Sequence, residues 1–289
     1  MDLIELEFEQ LKAKINPGNE QLVSLTSEGV EYFHDGGMDT YSGPGWKNSE
    51  IVPFPIFGPA ADSKVMVDEL EFYLEQHGIS RHTKGNPFVP KTQIGNNAIV
   101  LVQGYDGHKI ANPKYSEGNG HPEHLNWLPY KLEKKFTLDE EGLFCEFILT
   151  NTSDIEMPYM IGWHPAFKLQ GRVEDGIFLT GNKELISLDA VIKSSKDPEK
   201  TAYFVENTNS VTYMDNISKR GINVSSKDFG NCVMLWMPER DAGMFCIEHT
   251  SRLPDKEADH FRDKTKFELL LPGETKTYRV AVKPLNMFI

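Results

Sequence analysis

The stretch Tyr130 to Thr150, YKLEKKFTLDEEGLFCEFILT, constrains the fold more than any other part of the chain. Its apolar residues recur largely at every second position on either side of an acidic DEEG turn. Successive side chains of an extended chain point to opposite faces, so this is the period of a strand with one covered face. Two such runs around a short polar turn read as an antiparallel hairpin.

The same period runs through most of the sequence. Ile4, Leu6 and Phe8 alternate with Glu5, Glu7 and Glu9, and EQLVSLTSEGVEYFH reads as two short strands joined by SEG. IVLVQGY, GIFLTG, SVTYMD, GINVSS, NCVMLWM, GMFCIEH, KFELLL and TYRVAVKPL continue it, with turns rich in Gly, Asn, Asp and Pro between them. The segment SKVMVDELEFYLEQHG has helical spacing at Val65, Leu70 and Leu74, whereas its Val, Phe and Tyr content suits a strand. NPKYSEGNGHPEHLNWLP reads as a long loop, and KSSKDPEKTAYFVENTNS as a polar excursion. Neither has the composition of a domain linker. Many strands with short turns and almost no helix predict an all-β fold, a large antiparallel β-sandwich occupying residues 1–289 as a single domain.

Composition narrows the partners. A net charge of −13 repels phosphate backbones and anionic lipid, which argues against nucleic acid and membrane surfaces. The apolar runs all fall short of the roughly 20 residues of a spanning helix, and the acidic start MDLIELEFEQ is unlike a secretory signal. Cys145, Cys232 and Cys246 each sit in an apolar run without a C-x-x-C pair, and read as buried free thiols. A cytoplasmic location is the expectation.

Nine histidines, at 34, 77, 82, 108, 121, 124, 164, 249 and 260, are the first candidates for chemistry. Most lie in polar loops and read as solvated side chains. HPEH places His121 and His124 at a ligand-like spacing, but in an irregular loop with no third ligand near in sequence. His77 precedes a glycine in QHGISRH, four residues before Arg81, which suggests a sharp turn presenting the ring. In GWHPAF, His164 ends a hydrophobic strand that Pro165 is expected to stop, since proline cannot donate to a ladder. Glu248 follows the apolar run Met244–Ile247. It is either a rim charge or a partly buried carboxyl with the raised pKa that acid–base work near neutrality requires. Packing and function both remain open for these three residues at this level.

Other chemistries have weaker support. The sequence contains no phosphate-binding glycine loop and no G-x-S-x-G elbow. Two histidines and a glutamate can form a metal facial triad, although the three lie far apart in sequence and none belongs to an H-x-H pair.

At these residues the sequence resembles the aldose 1-epimerase (galactose mutarotase) family, and most of all its galactose mutarotase-related branch. VPFPIFGP resembles that branch's P-x-F-P-x-x-G segment, QHGISR its HG-x-x-R turn, and MPYMIGWHPAF its G-x-HP-x-F motif. FCIEHTSRLPD resembles its C-I-E strand, LVSLTSEGVEYFH its opening strands, and LLLPGETKTYRV its closing hairpin. The order and spacing of these motifs carry the resemblance over the full length.

The resemblance implies a two-layer antiparallel sandwich binding a small-molecule sugar in an open groove, without cofactor or metal. It assigns Glu248 as the base taking the proton of the anomeric hydroxyl, His164 as the acid protonating the ring oxygen, and His77 as a group orienting the sugar. Arg81 falls on the motif's arginine, as a structural residue or a rim contact. Trp163, Phe167 or Trp236 is expected to offer an apolar platform. Three departures concern sugar recognition. HTS follows Glu248 where the family often has proline and tryptophan. Thr208 or Asn209 stands where an aspartate is frequent, with Asp215 too far along to replace it. Asn48 stands where a basic residue is expected, with Lys47 beside it. The implied activity is interconversion of α and β anomers of a free aldose. The alternatives are the same reaction on a hexose 6-phosphate, or a non-catalytic sugar-binding or sensing module of the same fold.

Overall fold

A computed structural model of the chain describes residues 2–43, 45–82, 84–198, 200–254, 261 and 265–286. His260, one of the nine histidines, lies outside them, as does Asp255 at the end of FCIEHTSRLPD. The expected hairpin pairs Tyr130–Asp139 with Gly142–Asn151, and lies in the interior of a nine-stranded antiparallel sheet. The sheet runs from Leu185–Ser187 at one edge, through Gly176–Thr180, Ser210–Asp215, Arg220–Ser225 and Thr275–Asn286, to the hairpin. It ends with Ala98–Tyr105 and Val89–Ile94. A five-stranded sheet in the order Tyr203–Glu206, Cys232–Trp236, Met244–Thr250, Gly162–Lys168, Glu50–Ile51 forms a second layer. Aromatic side chains of the two sheets meet between them. Phe147 lies against Trp163 with ring centroids 6.1 Å apart, and Tyr213 against Phe245 at 4.3 Å. Four short N-terminal strands, Ile4–Phe8 to Val30–Glu31, form a separate sheet.

Alternation also puts a charge inside. Lys134 falls on the covered face of the hairpin, and its Nζ lies 2.7 Å from Oε1 of the fully buried Glu50. Glu50 Oε1 also accepts from Leu22 N, and its Oε2 accepts from the Trp163 indole at 2.7 Å. A buried ion pair is tolerable only when both partners have their remaining hydrogen-bonding capacity filled, as here.

The structure decides one open reading and corrects several expectations. The segment with helical spacing is a hairpin, Lys64–Val67 against Leu70–Tyr73, with Val65, Val67 and Phe72 buried. Asp68 turns it at φ 51°. The polar excursion begins in the last turn of a helix, Leu188–Lys196, and contains a strand, Tyr203–Glu206. Ser187 caps that helix by accepting from Ala190 N, and Leu188, Val191 and Ile192 cover its buried face. Pro165 does not stop its strand, which continues to Lys168. Its flanking residues keep one register with the Met244–Thr250 strand, Trp163 facing His249 and Ala166 facing Cys246. Finally, Cys232 is only half-buried, while His34 and His249 are buried rather than solvated. Among the described residues no helix is long and apolar enough to cross a membrane.

Candidate active site

Strand register explains why His164 and Glu248 meet although 84 residues separate them (248 − 164). With Trp163 opposite His249 and Ala166 opposite Cys246, the antiparallel register sets His164 opposite Glu248. Met234 faces Glu248 from the next strand, and Phe204 faces Met234 from the one beyond. A single row across four strands therefore carries Phe204, Met234, Glu248 and His164, all of which line one cleft. Two residues further along, Trp236 faces Cys246, which faces Ala166. Because side chains alternate, Trp163 and His249 go to the other face. His249 is buried there, beside Phe229 with ring centroids 6.2 Å apart.

His164 Nε2 stands 3.5 Å from Glu248 Oε1, with both residues buried. This is beyond an ordinary N–H···O hydrogen bond. Trp46 lies over the His164 ring at 4.5 Å between centroids, and Phe57 stacks on it at 6.4 Å and 13°. Trp236 approaches it edge-on at 6.1 Å. Burial disfavours charge on either member of the pair: it lowers His164 to about 3 and raises Glu248 well above the ordinary carboxylate value. Arg81 contributes further to the lowering at His164. The pair thus favours a carboxylic acid facing a neutral imidazole. Moving one proton within the pair gives the carboxylate and imidazolium without changing the total charge.

His77 reaches the same cleft from a different kind of element. Its backbone has φ 66° and Gly78 follows at φ +73°, so the chain turns sharply. A Cβ at Gly78 would lie 2.1 Å from the Phe54 carbonyl oxygen, so only glycine fits. The proline-rich segment holds this turn: Phe54 bridges Gly78, and His77 N donates to the Gly58 carbonyl at 2.8 Å. Gly58 N donates in return to His77 Nδ1 at 3.2 Å, which leaves the ring proton on Nε2. The His77 and His164 rings stand nearly perpendicular with centroids 5.4 Å apart. Burial lowers His77 well below its ordinary value, and His164 and Arg81 lower it further.

The cleft has a volume of about 390 Å³ and includes Glu248, His164, His77 and Arg81 among its walls. Trp46 and Trp236 form aromatic walls, and Lys200, Thr201 and Gln76 add polar groups. Arg81 donates to the Gln76 carbonyl at 3.3 Å, and the Glu75 carboxylate acts on its guanidinium electrostatically. Two expected substrate contacts lie elsewhere. Trp163 is buried in the interior with its indole on Glu50, because alternation sends it to the face opposite His164. Asn48 accepts from Gln21 Nε2 at 2.9 Å and does not line the cleft. Phe167 is likewise in the core, against Phe33 and Phe245. Asp215 is fully buried, and its Oδ1 accepts from the backbone of Ile217 and Ser218. Thr208 accepts from Gly181 N.

The sequence reading missed Trp46 and Lys200, which lie in loops where no period marks an inward face. His121 and His124 do not share a site: His121 Nδ1 lies 2.7 Å from Glu75 Oε1, while His124 is exposed beside Glu123. The two-histidine facial triad is not the group that forms either. Among the described residues, the one group whose potential ligand atoms lie within 4.8 Å of one another is His164, Cys246 and Glu248.

No family model matches the chain. It is 22% identical over 318 aligned positions to the plasmid LacX protein of Lactococcus lactis subsp. lactis, covering 96% of this chain and 99% of that one. The chromosomal LacX protein matches to the same extent. Among solved structures, a galactose mutarotase-like protein from Lactobacillus casei superposes with a TM-score of 0.75 at 18% identity, over 98% of this chain and 100% of that one. A galactose mutarotase related enzyme from Lactobacillus acidophilus gives 0.75 at 19%, over 99% and 98%. A galactose mutarotase-like protein from Clostridium acetobutylicum gives 0.67 at 14%, over 99% and 95%. The resemblance read from the motifs is thus borne out in the architecture: the chain has the galactose mutarotase-like fold.

Proposed function

We propose that the protein is an isomerase of the aldose 1-epimerase type, acting on a sugar bound in the cleft. The observation that carries this reading is the cross-strand pair of His164 and Glu248, buried beside His77 and walled by two tryptophans. Opening a hemiacetal ring requires a proton taken from the anomeric hydroxyl and one given to the ring oxygen. Glu248 as carboxylate takes the first and His164 as imidazolium gives the second. The bond from the anomeric carbon to the ring oxygen breaks and leaves an aldehyde. Rotation about the adjacent carbon–carbon bond and the reverse transfers close the ring on the other face. The sugar's hydroxyls donate to the carboxylate and so favour the ionised pair over the neutral one. His77, with its proton on Nε2, donates a hydrogen bond to the sugar. Trp46 and Trp236 offer the apolar faces that sugar rings stack on.

A second reading, the same reaction on a hexose 6-phosphate, is favoured by Arg81 and Lys200, two cations in the walls of the cleft of an acidic protein. The test is anomerisation of freshly dissolved α-glucose, α-galactose and their 6-phosphates, followed by polarimetry or NMR, with Glu248→Gln as control. Acceleration of the free sugars alone supports the first reading, and of the phosphates alone the second. No acceleration of any of them leaves a binding or sensing module.

A further inference from the structure

Cys246 has no part in the proton transfers, yet it stands on the same strand face as Glu248, two residues away. It is fully buried behind the cleft, and Trp236 is its cross-strand neighbour. The ligand atoms of His164, Cys246 and Glu248 lie within 4.8 Å of one another. One edge of that triangle, Nε2 to Oε1 at 3.5 Å, matches the roughly 3.4 Å that separates two ligands about 2.1 Å from a tetrahedral ion. Glu248 is also short of partners. Among the described residues its carboxyl group has no hydrogen bond, and His164 is its one ion-pair partner within 4 Å. A buried carboxyl of this kind has capacity for a ligand.

We propose that these three residues form an inhibitory site for a thiophilic divalent cation of the zinc class, entering through the cleft. Imidazole nitrogen, thiolate sulfur and carboxylate oxygen are the donor types that zinc takes, with a fourth position left open toward the cleft for water. Coordination expels two protons, one from the thiol and one from the carboxyl. The double positive charge then meets two negative ligands, so the assembled centre is neutral and does not repel Arg81. The ion occupies the lone pairs of Glu248 and His164 that proton transfer requires, so it blocks the reaction and is not a resident cofactor. Hard cations such as magnesium, which prefer all-oxygen shells, are not held.

Metal binding at these residues does not depend on the sugar chemistry, whereas its inhibitory effect rests on the proposed reaction, and the test reads the metal directly. Cobalt(II) serves as the probe, in a Cys232→Ser background that removes the half-buried thiol. The expected result is one cobalt per chain with intense tetrahedral bands and a thiolate-to-cobalt charge-transfer band, displaced by zinc and not by magnesium. Cys246→Ser should abolish the charge-transfer band and weaken zinc binding by about tenfold or more, and His164→Asn should weaken it comparably. Cobalt that does not bind, or binds without the thiolate band, or binds equally well in the Cys246→Ser protein, overturns the proposal. Where anomerisation is observed, zinc should slow it at least tenfold relative to each protein's own metal-free rate, with Cys246→Ser less sensitive. An inactive protein that still gives the cobalt spectrum would remove the proposed reaction and leave this site standing.

Discussion

His164 and Glu248 face each other across one antiparallel strand pair, Nε2 3.5 Å from Oε1, at the floor of a cleft that His77 enters from a separate turn. Register sets this relationship. A one-residue slip of the Gly162–Lys168 strand would send His164 into the core and bring Trp163 to the cleft.

Removing either member of the pair should cost most of the activity. Glu248→Gln and His164→Asn are each expected to lower the anomerisation rate by roughly 10²- to 10⁴-fold, the usual contribution of a positioned acid or base. Polarimetry measures the rates, and unchanged circular dichroism shows that the fold is kept.

The pH profile follows from two opposed shifts. His164 is lowered to about 3, and Glu248 is raised well above the carboxylate range. The pair therefore holds one proton between those limits, as a coupled unit. The plot of kcat/KM against pH should show no acid limb at the ordinary histidine value of 6.5. It should fall on the alkaline side, as the pair loses its proton above the ordinary carboxylate value. Glu248→Gln should abolish that alkaline limb in the residual activity, and its persistence would assign it to another group.

Arg81 separates the two substrate readings. Arg81→Met is expected to lower kcat/KM on a hexose 6-phosphate by roughly tenfold or more, since a charge-assisted contact is lost, and to change a neutral aldose by less than about threefold. Equal losses on both substrates would instead give Arg81 a structural role.

Beneath the site, Lys134→Met leaves the Glu50 carboxylate buried without its cation. The expected destabilisation is roughly 3–5 kcal/mol in urea unfolding, with Glu50→Gln in the same chain recovering much of it. If the single substitution is harmless, the pair is not the anchor that its geometry implies.

His249 should make the fold acid-sensitive. Burial lowers it to about 4 from 6.5, so the unfolded chain takes up a proton that the folded chain refuses. Its contribution is complete above 6.5 and is lost as the pH falls toward 4. His249→Phe should reduce the loss of stability between about pH 7 and pH 5 by something on the order of 1–2 kcal/mol. Denaturant melts at the two pH values measure it.

Alternation in the chain determined the all-β character and the Tyr130–Asn151 hairpin, because strand period is a local property of covalent geometry. Local chemistry also marked His77, through the glycine after it, and Glu248, through the apolar run before it. It left Lys64–Tyr73 open, where apolar spacing fits a helix as well as a hairpin, and it failed at Pro165, whose lost donor the strand tolerates between its neighbours. The face each side chain takes was settled only by pairing. The sequence offers Trp163 and His164 as equals, and the register with Met244–Thr250 sends one to the Glu50 carboxylate and the other to the cleft. Trp46 and Lys200 line the same cleft from loops that only the folded chain brings there, and no local pattern in the chain encodes that proximity.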